Sequence, residues 1–230
     1  MSKYENRPSK PRDAASIIIY KKKKNKYYVL MGRRSIKSKF MPSIYVFPGG
    51  SVDKIDYKVN ELFNLSVKIN NKKIKTRSDI HTKAIMFAGI RETAEECNLY
   101  LAKKKIIHKN SNIIINNSWD KFLEKSLVPS FNNLKYFARA ITPTFLKIRF
   151  HARFFIANYN SFIGKIKSNG ELEDLGWYEI NKAKFLPIAD VTEFLLNRLI
   201  YLNENKQQFD SANSYPMFTR KNNKKWIKWD

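Results

Sequence analysis

Cysteine, glycine and acidic side chains are scarce in this chain of 230 residues, and no long hydrophobic run occurs in it. The single cysteine, Cys97, excludes an internal disulfide framework and a cysteine-rich zinc module. No stretch reaches the roughly 18 apolar residues of a membrane-crossing helix, and the longest runs are strand-sized. Residues 1–13 are polar and hold no hydrophobic signal core. These absences lead us to expect a cytoplasmic protein that does not enter membranes. What is present is 43% hydrophobic and 14% aromatic residues, enough for the core of one sizeable domain.

The shortage of acid leaves 44 Lys and Arg against 20 Asp and Glu, a formal net charge of +24. Such a balance raises nucleic acid or an anionic surface as a partner. The excess, however, is mostly lysine and is scattered from end to end. It accompanies abundant Asn, Ile, Phe and Tyr, the residues that AT-rich codons encode. Compositional drift and a solvated surface are therefore preferred over a dedicated nucleic-acid site. Either way, the field attracts a polyphosphate.

Residues 14–20 and 27–33 are β-rich runs around a charged tip at 21–26, which predicts a hairpin. A loop at 35–43 leads to a short strand at 44–47, ending at Pro48-Gly49-Gly50. Residues 51–81 are polar and without clear periodicity, an apparent insertion with a short helix near 60–65. A strong helix is predicted over 82–98, short helices at 118–125 and 131–137, and strands at 139–141, 149–158 and 175–179. An amphipathic helix at 191–203 precedes a basic, aromatic tail at 215–229. The domain reading is a flexible leader (1–13), one domain (14–220) with its insertion (51–81), and a basic tail (221–230).

The chemistry concentrates on the central helix. At ~100° per residue, Glu92, Glu95 and Glu96 share one narrow sector. Met86, Ile90, Thr93, Ala94 and Cys97 form the opposite, core-facing stripe. Like charges so placed destabilise an isolated helix by about a few tenths of a kcal/mol per pair. A hard cation such as Mg²⁺ takes oxygen ligands and would relieve the repulsion. Ala88 and Gly89, one turn earlier on the same side, would leave room for a phosphate. An isolated E-x-x-E-E is usually a solvated helix face; here the flanking residues argue otherwise.

Arg91-Glu92-Thr93-Ala94-Glu95-Glu96-Cys97-Asn98-Leu99 resembles the second half of the Nudix box, R-E-U-x-E-E-x-G-U with U aliphatic. Phe47-Pro48-Gly49-Gly50 resembles the entry to that box. The resemblance implies an α/β fold, the Nudix α/β/α sandwich with a mixed central β-sheet. It also implies a Mg²⁺- or Mn²⁺-dependent hydrolase of a small-molecule diphosphate. Glu92, Glu95 and Glu96 would be the catalytic metal ligands, Gly50 (or Gly49) would lend a carbonyl, and Arg91 would hold a helix carboxylate. The sequence departs from the box in four ways, the mildest being Thr93 in place of an aliphatic residue. About thirty extra residues separate its halves, Lys83 stands where an early glutamate normally supports the arginine, and Asn98 replaces the closing glycine. Asn is the next most accepted residue at a left-handed helix cap.

The long insertion, Ile141-Thr142-Pro143, Arg149-Phe150-His151-Ala152-Arg153-Phe154-Phe155 and Gly170-Glu171-Leu172-Glu173-Asp174-Leu175-Gly176-Trp177 are similar to the branch of peroxisomal coenzyme A diphosphatases. Coenzyme A or an acyl-CoA is then the expected substrate. The alternatives are ADP-ribose, NADH, an RNA 5′ end, or a non-catalytic RNA-binding module of the same fold. Glu171, in preference to Glu173, is the candidate late-loop carboxylate. Arg33, Arg34, Arg149 and Arg153 are candidate phosphate clamps. Tyr45 could stack on a base, whereas Phe40 is read as core, His151 as structural and Cys97 as a small buried hydrophobe. A homo-oligomer is compatible with all of this.

Overall fold

Side chains of β1 (Arg12–Lys23) alternate between two cores. Ala15, Ile17 and Ile19 join one apolar cluster and Ile18 the other, the two-residue period of a strand covered on both faces. The computed structural model that shows this describes residues 8–63, 65, 71–105, 118–209, 214–222 and 224–229. β1 turns into β2 (Lys26–Arg34) through Lys24 and Asn25, both at positive φ (46° and 60°), as a two-residue hairpin turn requires.

β3 (Tyr45–Val46) and β4 (Gly49–Ser51) follow. β5 (Ala102–Lys104) and β6 (Leu127–Pro129) form a separate ribbon. β7 (Lys135–Ile141), β8 (Phe150–Asn158), β9 (Leu172–Glu179), β10 (Pro216–Lys221) and β11 (Lys224–Trp229) complete the main sheet. Among the described residues that sheet has nine strands, ordered β11-β10-β7-β8-β1-β2-β3, with β4 added to β1 and β9 to β2. β1 runs parallel to β8 and β10 parallel to β7, while the other pairs are antiparallel, so the sheet is mixed.

Short helices α1 (Val59–Phe63) and α2 (Asn71–Ile74) precede the long α3 (Asp79–Cys97), and α4 (Ser118–Glu124) follows it. α3 and α4 cover one face through Ile85, Phe87, Ile90, Trp119 and Phe122. α5 (Ile180–Ala183) and α6 (Asp190–Glu204) cover the other through Ile180, Leu195, Leu196 and Leu199. The result is the expected α/β/α sandwich.

Several elements differ from the sequence reading. α3 begins at Asp79 because the Ser78 hydroxyl accepts the His81 N–H (3.2 Å) and caps the helix. Its end agrees with expectation, with Asn98 at φ 54°. Residues 131–137 are not a helix: Leu134 N–H closes a turn on Phe131 O (3.0 Å), and β7 starts at Lys135. A bulge between Tyr136 and Ala138 lets the consecutive Phe137 and Ala138 join the same core, which breaks the strand period. The leader is held from Ser9 onward, where the Arg149 guanidinium donates to Ser9 O (2.6 Å) and β1 already starts at Arg12. Residues 1–7 lie outside the described ones. The basic, aromatic tail holds β10 and β11, which form a hairpin on the sheet edge. The insertion carries α1 close to where a short helix was expected, and a 3-10 turn, Ile55–Tyr57, before it.

Candidate active site

The site begins where β4 wedges against β1. Ile17 N–H and the Ser16 hydroxyl both donate to Pro48 O (2.9 and 2.8 Å), fixing the entry to the glycine pair. Gly49 has φ 152°, and a Cβ there would run into the Ala15 carbonyl oxygen and Ser16. Its freed N–H donates to Glu96 Oε2 at 2.9 Å. A Cβ on Gly50 would strike the Glu92 carboxylate. Gly49 is therefore needed because β1 lies against it, and Gly50 because the Glu92 carboxylate lies directly on the β4 backbone. Gly50→Ala is expected to cost about ten- to a hundredfold in metal affinity or turnover, with thermal stability as the control. Gly89 has a different use from the one its position suggested. A Cβ there would sit 3.2 Å from Ile17 and 3.3 Å from Ala15, so its role is close approach of α3 to the sheet.

Arg91 organises this corner. Its Nε and Nη2 donate to the two carboxylate oxygens of Asp56 (3.0 and 3.1 Å), and Nη2 also donates to Ser51 O (2.9 Å). Nη1 donates to Glu92 Oε1 (2.9 Å) and Glu95 Oε2 (3.1 Å). Burial opposes the Arg91 charge, but the hydrogen bonds to Asp56 and the charges of Glu92, Asp56 and Glu95 outweigh it and keep the guanidinium protonated. Asp56 is 0% exposed and also accepts the Asp53 N–H (2.9 Å). It belongs to the insertion and supplies the support that Lys83, on α3, cannot. The sequence reading missed Asp56. Its one available signal was an acidic residue in a basic segment six positions after Gly50.

A cavity of about 560 Å³ opens on the other side of β4, lined by Glu92, Glu96, Gly50, Arg34 and Glu171 among others. That volume suits a small-molecule ligand. Burial pushes the Glu92 carboxyl up to about 7, against the pull of Arg91. Burial also lifts Glu96 well above the ordinary carboxylate range, with repulsion from Glu92 and Glu171 adding to it. Among the described residues no three His, Cys, Asp or Glu side chains are already drawn together as a metal cluster. Instead Glu92 and Glu95 rest on Arg91, and Glu96 on the Gly49 amide. The donor set nevertheless fits a hard divalent cation. It offers only oxygen, it crowds buried Glu96 and half-buried Glu92 at one cavity wall, and a glycine there leaves the backbone uncovered.

The remaining sequence candidates separate into two groups. Arg34 is tied through Nε to Phe40 O (2.9 Å) and lines the cavity, as do Glu171 and Phe40, the latter edge-on to Phe150 with ring centroids 5.0 Å apart. Phe40, read as core, is thus one of the aromatics that line the cavity. Tyr45 is not among the lining residues: its ring packs on Tyr178 and its hydroxyl donates to Asp174 (3.2 Å). Arg33 pairs with Glu173 and Asp174 (2.9 and 3.2 Å) on the same outer edge. Arg149 is buried on the Thr142 and Ser9 carbonyls, and Arg153 on Asp13, His151 O and Lys75 O. Both arginines therefore hold strands and loops together and are absent from the cavity lining: Arg149 precedes β8, and Arg153 alternates along it with Ala152 and Phe154, which do line the cavity. His151, read as structural, is absent from the cavity lining, and its pKa is driven down to about 3 by burial first and then by Arg153 and Arg139. Cys97 is fully buried and its thiol pKa is raised by burial. Arg220 and Asp190 line the far end of the cavity, and no sequence signal set them apart from the other charged residues of the C-terminal segment.

No protein-family model matches the sequence. A Caenorhabditis elegans protein named "Putative nudix hydrolase 7" is 28% identical over 168 residues, 73% of this chain and 51% of that protein. The chain thus spans about half the length of this curated relative. Among solved structures, a NUDIX hydrolase from Alicyclobacillus acidocaldarius superposes with a TM-score of 0.65 at 21% identity, covering 85% of this chain and 93% of that one. A MutT protein from Bacillus halodurans gives a TM-score of 0.50 at 12% identity, covering 95% and 97%. No described helix is long and apolar enough to cross a membrane.

Proposed function

We propose, with the Nudix fold as premise, that this chain is a Nudix hydrolase that cleaves the diphosphate bridge of a nucleoside diphosphate-linked compound, with coenzyme A or an acyl-CoA as its substrate. The observation that carries this reading is the carboxylate pair of buried Glu96 and half-buried Glu92, facing one cavity together with Glu171, Gly50 and Arg34. Glu92 and Glu96 would hold Mg²⁺ or Mn²⁺, with Glu95 beside them and a glycine carbonyl from β4 in support. A cation bound there neutralises the diphosphate and lowers the pKa of an attacking water. Arg34, whose Nε is already fixed, presents its terminal nitrogens to a phosphate oxygen. Glu171, on the cavity lining, would take the proton from water. Arg91 does not touch substrate; it spaces Glu92 and Glu95. Hydrolysis then breaks one P–O bond of the bridge and forms another to the water oxygen, giving 3′,5′-ADP and a phosphopantetheine from coenzyme A.

The finer substrate reading is supported by where the branch-like segments fall. Ile141, Thr142, Pro143, Phe150 and Phe154 form cavity wall, and the Gly170–Trp177 segment contributes Glu171. A wall this apolar exceeds what a bare diphosphate needs and suits a pantetheine or acyl arm. The test is turnover by purified protein with Mg²⁺ or Mn²⁺ on coenzyme A, acyl-CoA esters, ADP-ribose and NADH, with products separated by chromatography. We expect 3′,5′-ADP release from the CoA compounds, abolished by EDTA and restored by added metal. Absence of turnover on the whole panel would overturn the hydrolase reading, and preference for ADP-ribose or NADH would overturn the CoA one.

A further inference from the structure

The cavity does not stop at the carboxylates. On the same face of the sheet, Ser51, Ala14, Ala152, Ala140 and Phe218 stand side by side on β4, β1, β8, β7 and β10, each paired in register with the next. Three alanines on adjacent strands make a low floor, and Phe150, Phe154 and Val191 rise along the cavity as apolar wall. Four interstrand spacings separate β4 from β10, so the track is about 19 Å long. A diphosphate bound at Glu92 and Glu96 occupies only its first part.

At the far end stands Arg220, at the end of β10, its side chain 37% exposed. Asp190 Oδ2 holds its Nε at 2.6 Å, and its two terminal nitrogens have no partner among the described residues. Asp190 is itself shared with Lys225 (3.8 Å), which also pairs with Glu193 at 2.6 Å. Two cations therefore balance two carboxylates before any ligand arrives. The same end of the cavity is formed by the first turn of α6, where Ala189 provides no side-chain cap and Asp190, Val191 and Thr192 line the space. First-turn amides and an open guanidinium fork both favour an anion. Apolar walls in between favour a methylene-rich arm rather than a second nucleotide.

We propose that Arg220 is a specificity-determining residue that binds an anionic oxygen group, carboxylate or phosphate, at the end of an apolar arm carried by the diphosphate substrate. This deepens the hydrolase reading and rests on it. Asp190 positions the fork, and the alanine floor sets the path. A substrate with a short arm leaves Arg220 unused, and one with a long neutral arm places its end against the open terminal nitrogens of Arg220 without a charge to pair with them.

The test uses the full chain with Mg²⁺ and four alkyl esters of ADP: butyl, dodecyl, ω-carboxydodecyl and ω-phosphododecyl. The expected result is that kcat/KM for at least one of the two ω-anionic esters exceeds that for plain dodecyl by about ten- to a hundredfold. Arg220→Gln should collapse that ratio toward one, and Arg220→Lys should restore part of it. Whichever anion is preferred identifies the source. Ala152→Leu should raise the floor and remove the advantage of both long anionic esters over butyl. A ratio near one in the unsubstituted protein, or one unchanged in Arg220→Gln, overturns the proposal. The same ratios are read as affinities by titration calorimetry. Failure to turn over any ester would therefore count against the hydrolase reading while Arg220 is still tested.

Discussion

Glu96→Gln is expected to lower kcat on the order of a thousandfold, the several kcal/mol that a cation contributes to a phosphoryl transition state. The exchange keeps the shape of the side chain and one oxygen for the Gly49 amide, so the chain should fold with little change in its melting temperature. What it removes is the second anionic oxygen on the cavity wall. In the protein without metal that carboxyl is pushed toward its neutral form by burial and by its neighbours, so its ionised form gains most from a bound cation. The measurement pairs turnover against metal concentration with a thermal melt. A variant that melts normally and retains wild-type kcat would remove Glu96 from the catalytic set. Glu95, joined to Arg91 and absent from the cavity lining, should respond more weakly to the same substitution.

The second large effect concerns stability. Asp56→Ala leaves the Arg91 guanidinium buried without its bidentate partner, which costs about 3–5 kcal/mol when one member of a buried pair is removed. For a chain of this size that corresponds to a fall in melting temperature of about 10 °C. Activity should fall as well, because a guanidinium released from Asp56 turns its donors onto Glu92 and Glu95. Asp56→Asn keeps the shape and separates the two effects, with a smaller loss of stability and a comparable loss of metal affinity. An Asp56→Ala protein that melts within a degree or two of the parent would show that Ser51 O and the glutamates alone hold Arg91.

The carboxylate helix was legible in sequence because its information is local. Three glutamates at helical spacing, a leading arginine and a glycine pair state their relation through the period of one helix and one strand end. Asn98 at the helix end and the hairpin around Lys24 and Asn25 were readable for the same reason. Asp56 was not, because its partner lies thirty-five positions away and nothing in the intervening polar segment fixes their distance. The strand at 135–141 was hidden by its bulge, and the roles of the arginines at and before β8 by a question that sequence leaves open. Arg149, Arg153 and Arg220 are all cations near β-rich segments. Only the pairing of strands decides which side chain reaches the cavity and which is drawn into carbonyls.

The junction at Arg91 also limits how the length of this protein can vary. One guanidinium fastens Ser51, Asp56, Glu92 and Glu95, so the chain is measured from the glycine pair to Asp56 and then again along α3. Between those two fixed stretches no such ruler operates on Arg91. Insertions and deletions placed after Tyr57 and before Ser78 should leave the catalytic corner in register, whereas one residue added between Gly50 and Asp56 should put it out of reach.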